Sequence, residues 1–227
     1  MRKWFALVLL VVFSWLGGLG QDARAGVTVD VLFQDGTGSA LTINEGDAGP
    51  GCSFGGYYAG SVSTGRCMDV VMTTTYDWIG FGTSVTYDSD NGLGVGSMYE
   101  WWGLEVAHPQ YCTPPIGLED KGGVIEQFGC LMPPPVNPPV LSPGTYKLGT
   151  IIWDTTGTTE GSETIAGYID DLIDGMIAVI DGNLVFVDNS GTIMNSAVLN
   201  IIPEPGTAAL LGLGLVGLVL AAQRRRD

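Results

Sequence analysis

Residues 79–87 alternate without interruption. Ile79, Phe81, Thr83, Val85 and Tyr87 fall on one face of an extended chain, and Gly80, Gly82, Ser84 and Thr86 fall on the other. A period of two cannot be wrapped onto a helix, whose faces repeat every 3.6 residues, so this stretch commits the chain to a strand. The glycines on its outer face leave room for another backbone to approach. Shorter stretches of the same kind recur. Residues 27–33 place Val27, Val29, Val31 and Phe33 against Thr28 and Asp30, residues 68–76 are rich in Val and Thr, and residues 146–153 and 196–201 are again β-prone. Residues 98–106 read as one more strand through Tyr99, Trp101 and Trp102. Residues 177–180 and 184–187 flank Asp181-Gly182-Asn183, a hairpin signal.

Many short strands separated by Gly, Asp and Pro turns predict a mainly β domain, an antiparallel β-sandwich. Two stretches depart from that texture. Ile165, Tyr168, Ile169, Leu172, Ile173 and Met176 recur at helical spacing, which predicts one short amphipathic helix ended by Gly175. Residues 108–143 carry Pro114, Pro115, Pro133, Pro134, Pro135, Pro138 and Pro139, and read as a long surface loop.

The two ends read as addresses. Arg2 and Lys3 precede an apolar run and then Ala23-Arg24-Ala25, the anatomy of a secretory signal peptide over residues 1–25 with cleavage after Ala25. At the other end Pro203-Glu204-Pro205 breaks the chain, residues 206–222 carry no charge, and Arg224, Arg225 and Arg226 follow. Seventeen residues at about 1.5 Å each span about 26 Å as a helix, the short end of the transmembrane range. The arginines would hold the cytoplasmic side under the positive-inside rule. The domain between them, residues 26–202, carries three cations (Arg66, Lys121 and Lys147) against 21 acids, a formal charge of −18. Such a surface repels nucleic acid and suits calcium or a cationic polymer better.

The C-terminal order of Pro203-Glu204-Pro205, a Gly- and Leu-rich apolar run and an Arg cluster resembles the PEP-CTERM sorting signal, here residues 203–227. That resemblance implies export through the inner membrane, a transient membrane anchor over residues 206–222, and cutting near the Pro-Glu-Pro by a membrane-embedded exosortase. It also implies a destination at the cell surface or in extracellular polysaccharide and biofilm, and it leaves the activity of the domain open. Residues 79–88, 143–151 and 197–201, in their order and strand texture, resemble cohesin-like and carbohydrate-binding jelly-roll sandwiches of bacterial surface proteins. No binding residue carries over from that second resemblance.

Cys52, Cys67, Cys112 and Cys130 all lie in the exported part, where oxidation is expected. Of three pairings, Cys52 with Cys67 and Cys112 with Cys130 is favoured, because each local pair encloses a Gly- or Pro-rich stretch with little else to order it. The spacing lacks a C-x-x-C pair and His108 is the only histidine, which argues against zinc. Calcium is the metal that Asp88, Asp90 and Asn91 suit, although Asx residues also fill turns for conformational reasons. Trp101 and Trp102 face opposite ways on a strand, so that one packs inside while the other is placed to stack on a sugar ring. Glu100 and Glu105 flank that pair, but five positions along a strand set them on opposite faces, against a shared hydrolytic cleft. A Ser-His-Asp site would depend on His108, which Pro109 follows in a loop; a structural role suits it better. The expectation is a non-enzymatic surface or matrix protein with a structural or adhesive role. A glycan-binding module, or a glycoside hydrolase, is the alternative.

Overall fold

The computed structural model describes residues 26–54, 60–100, 119–130, 140–169 and 174–224. Two sheets face each other. The first holds β1 (Val27–Phe33), β5 (Arg66–Thr74), β7 (Gly94–Glu100), β10 (Gly144–Asp154) and β14 (Thr192–Met194), in the order β14-β1-β5-β10-β7. The second holds β2 (Ala40–Asn44), β6 (Asp77–Thr86), β8 (Glu119–Asp120), β9 (Val124–Cys130), β11 (Gly161–Tyr168), β12 (Gly175–Ile180), β13 (Asn183–Val187) and β15 (Ser196–Ile202). A small ribbon of β3 (Cys52–Phe54) and β4 (Gly60–Val62) lies apart, and helix α1 (Pro205–Arg224) follows β15.

Alternation places the core. Val27, Val29, Val31 and Phe33 are buried along β1, and Ala197, Leu199 and Ile201 along β15, so the two strands meet face to face from opposite sheets. Each of these side chains larger than Ala197 contributes about 1.5–3 kcal/mol by leaving water. Trp78 and Trp153 fill the centre, each met edge-on by a tyrosine, Tyr146 and Tyr87 respectively, at 5.0 Å between ring centroids. Within 79–87 the expected inward face holds for Phe81, Thr83, Val85 and Tyr87. Ile79 differs, because the register of β6 against β12 skips it and turns Trp78 inward instead.

The registers also decide how the second sheet is built. Val85 pairs with Ile125 of β9 and with Gly167 of β11, so those strands lie on opposite edges of β6. Phe81 pairs with Cys130 of β9 and with Met176 of β12, which puts β12 opposite β9 as well. Strands β11 and β12 therefore share one edge and run in line. Ala166, Gly167 and Tyr168 face Thr86, Val85 and Ser84, and Gly175, Met176 and Ile177 face Gly82, Phe81 and Gly80.

This overturns the short helix expected around 165–176. Ile165 and Tyr168 stand in β11 and Met176 in β12, while residues 170–173 lie outside those described. The 108–143 loop is corrected too. It contains β8 and β9, held because β9 completes the free edge of β6 and buries Ile125. Finally, the sandwich is not wholly antiparallel, since β14 runs parallel to β1 and β2 parallel to β15.

Candidate functional site

The sorting segment meets the sandwich almost without a linker. β15 pairs with β2 through Ile202↔Asn44, and the Glu45 amide donates to the Ile202 carbonyl at 2.7 Å. Only Pro203 and Glu204, both exposed, separate that closed ladder from α1. Proline stops the ladder because it has no amide to donate, and Pro205 opens the helix, where a missing amide costs nothing. In α1, Leu210, Leu211, Leu213, Leu215, Val216 and Leu218 are all exposed, Leu210 at 72%. These positions occupy every side of the helix, so α1 has no polar face to turn toward water. Among the described residues no helix is long and apolar enough to cross a membrane. The uncharged 17 residues reach about 26 Å, against a hydrocarbon core of about 30 Å. Arg224 ends α1, and Arg225 and Arg226 lie outside the described residues.

The acidic turn after β6 is organised by protein groups. Asp88 Oδ1 accepts the Asp90 amide at 2.9 Å, and Asn91 Oδ1 accepts the Leu93 amide at 2.9 Å. Both are Asx turns, in which the side chain mimics a backbone turn. Buried Glu163, from β11, accepts the Asp88 amide and the Asn91 side-chain amide. Burial pushes the Glu163 carboxyl up, opposed by those two hydrogen bonds and reinforced by the Asp88 charge. Among the described residues no group of three His, Cys, Asp or Glu side chains is arranged to hold a metal ion. Asp174 accepts the Ser84 hydroxyl at 2.6 Å, where the β11–β12 line resumes.

The three cations of residues 26–202 are all engaged. Arg66, nearly buried, holds Asp35 at 2.5 Å and Asp47 at 2.6 Å; Lys147 holds Asp69 and Lys121 holds Glu126, each at 2.6 Å. The domain thus offers polyanions no unneutralised cation. Beside Arg66, Cys67 is joined to Cys52, as expected, and this disulfide closes over the β3–β4 ribbon.

Several expected site residues lie outside the described residues: Ala23, Ala25, Trp101, Trp102, Glu105, His108 and Cys112. Glu100 ends β7 and Cys130 ends β9. Gly51-Cys52-Ser53-Phe54-Gly55 has the G-x-S-x-G spacing of a nucleophile elbow. Ser53 sits instead in β3, paired with Ser61, and Cys52 is oxidised, so the strand-to-helix turn that exposes a nucleophile is absent there.

The fold is similar to several solved cohesins. The third cohesin of ScaC from Acetivibrio cellulolyticus, solved with the ScaB dockerin, shares 11% identity over 78% of this chain and 99% of that one, with a TM-score of 0.47. CaCohA2 from Clostridium acetobutylicum shares 12% over 79% and 92%, with a TM-score of 0.47. A non-cellulosomal cohesin from the archaeon Archaeoglobus fulgidus shares 17% over 82% and 97%, with a TM-score of 0.40. Comparison with curated proteins finds no match. Residues 202–226, from the last residue of β15 to the terminal arginines, match the PEP-CTERM protein-sorting motif, the mark of an exported, exosortase-targeted protein.

Proposed function

We propose that this chain is a cell-surface or extracellular-matrix protein with a structural or adhesive role, held in the membrane by residues 206–222 until an exosortase cuts near Pro203-Glu204-Pro205. The observation that carries the reading is the junction: a completed sandwich strand, two exposed residues, then a helix apolar on every side. A helix of that kind is unfavourable in water and favourable in lipid. A 17-residue apolar length needs modest thinning of the bilayer, which costs fractions of a kcal/mol per Å. Once residues 206–227 are removed, an acidic sandwich stapled by a disulfide remains, suited to an oxidising exterior.

Two measurements test this. The first compares the mass of the extracellular protein with that of a Glu204→Ala variant. The expected result is loss of the 206–227 mass from the wild type alone, and retention of that mass in both would overturn the processing reading. The second incubates the extracellular form with the producer's own exopolysaccharide. Retention without new reducing ends supports adhesion, whereas new reducing ends would replace it with glycan cleavage.

A further inference from the structure

The turn between β6 and β7 carries the chain from the second sheet to the first, and it contains Asn91-Gly92. No other asparagine in the chain precedes a glycine. That dipeptide is the one in which an asparagine is chemically least stable. With no side chain in the way, the glycine nitrogen can close on the asparagine Cγ and expel the side-chain nitrogen as ammonia.

The fold demands both residues. Gly92 has φ +84°, where side chains are strained, and a Cβ there would come within 2.4 Å of the Gly157 carbonyl oxygen. Asn91 has to accept and donate at once: Oδ1 accepts the Leu93 amide at 2.9 Å, and Nδ2 donates to Glu163 Oε2 at 3.0 Å. An aspartate at that position could accept but not donate. The same contacts hold the reaction off. The Gly92 N–H donates to the Ser89 carbonyl at 3.1 Å, the Asn91 carbonyl accepts the Thr159 amide at 2.8 Å, and the side-chain amide is tied at both ends. Gly92 itself is exposed, so water is at hand and the hydrogen bonds are the guard. Glu163 is the anchor among them, 3% exposed in β11 and 72 positions away in the chain.

We propose that Asn91 is a one-way modification site guarded by Glu163: it converts to aspartate or isoaspartate when the turn opens, and the turn cannot then be latched again. In the step, the Gly92 nitrogen gives up its proton to solvent and bonds to Cγ. The Cγ–Nδ2 bond breaks, and Nδ2 leaves as ammonia after taking up a proton. Water then adds to either carbonyl of the ring, which opens to a side-chain carboxylate or to an isoaspartate with one more carbon in the main chain. In both products the donor to Glu163 has gone. Two ionised carboxylates cannot hydrogen-bond, and Glu163 stays in place because it also accepts the Asp88 amide, so the new charge is repelled from β11. The connection into β7, the end strand of the first sheet, thereby loses its side-chain tether to the second. The inference goes beyond the adhesive reading and does not depend on it.

The test follows the peptide containing position 91 by mass spectrometry while the full chain stands in detergent at neutral pH, either folded or in urea. Folded wild type should convert many-fold more slowly than the chain in urea, and folded Glu163→Ala several-fold faster than folded wild type. Equal rates for folded and unfolded wild type, or for folded Glu163→Ala and folded wild type, would overturn the inference. Asn91→Asp leaves Glu163 in place and covers the case in which Glu163→Ala loses its fold. Its Thr159 amide should exchange with solvent several-fold faster than in the wild type. Wild-type exchange there would show that the turn latches onto a carboxylate as well, and the one-way character would be wrong.

Discussion

The amide of Glu45 donates to the carbonyl of Ile202 across 2.7 Å, and this bond closes the β2–β15 ladder at the residue before Pro203. Ile201, one position earlier, is buried in the core. A protease that binds its substrate as an extended strand needs several free residues on either side of the cut, and here the fold withholds those on the N-terminal side.

Inserting a short Gly-Ser linker between Ile202 and Pro203 should therefore speed processing. The expected outcome is a several-fold fall in the precursor-to-product ratio in a pulse-chase. An unchanged ratio would mean that the ladder is no barrier, either because cutting precedes folding or because β15 frays faster than the enzyme turns over.

How much of this was readable beforehand depended on where the alternation survived. β1, β6, β15 and the β12–β13 hairpin announce themselves because their inward positions carry apolar side chains, and the hairpin turn adds Asp181-Gly182. β11 does not. Its buried positions are Glu163, Ile165 and Gly167, continued by Ile169 just past its end, a period of two in which one member is charged and another has no side chain. With those two disguised, the remaining apolar residues imitate a helix. β9 was hidden for another reason: its place is set by the vacant edge of β6, a tertiary demand that leaves only Ile125 as a local trace. The contact of Asp88 with Glu163 spans 75 positions, and no local pattern reports it. The sorting motif at residues 202–226 was legible because its features are contiguous in the chain.

Arg66 is the cation on which two acids depend. Its side chain is 9% exposed, with Asp35 at 21% and Asp47 at 37%. Arg66→Met would leave both carboxylates without their cation. Breaking such a buried cluster costs about 3–5 kcal/mol, and the exposure of Asp47 places this case near about 3 kcal/mol. Asp47→Asn, which keeps Asp35 paired, should cost well under half of that. Urea midpoints of the two variants check the ordering.

Glu163 gives stability a pH dependence of unusual sign. Burial raises its carboxyl above the ordinary value of 4.5, so between that value and the folded pKa the native state holds more protons than the unfolded one. Stability then falls as pH rises through that interval and stays lower above it. Asp154 and Asp188 act oppositely. Side-chain hydrogen bonds from Thr156 and Ser190 hold them below 3.8, so their contribution is lost only as the pH falls below that value. Denaturant midpoints for the wild type and Glu163→Gln between roughly pH 4 and 8 separate the two effects. The wild type should lose stability across the range relative to the variant, and parallel curves would show that Glu163 ionises without penalty.

Gly175 is where β12 rejoins the line of β11, and it does so at φ +138°, a conformation that side chains rarely adopt. A Cβ there would also come within 2.5 Å of the Phe186 ring tip and 3.0 Å of the Val187 carbonyl. Gly175→Ala should therefore destabilise the domain by about 1–3 kcal/mol through backbone strain and the steric clash together. The two causes can be parted. Phe186 is more than half exposed, so Phe186→Ala alone costs little, and added to Gly175→Ala it removes the ring but not the strain. A double-mutant cycle by chemical denaturation should show a favourable coupling of more than about 0.5 kcal/mol. Strict additivity would assign the whole cost to the backbone and to the Val187 carbonyl.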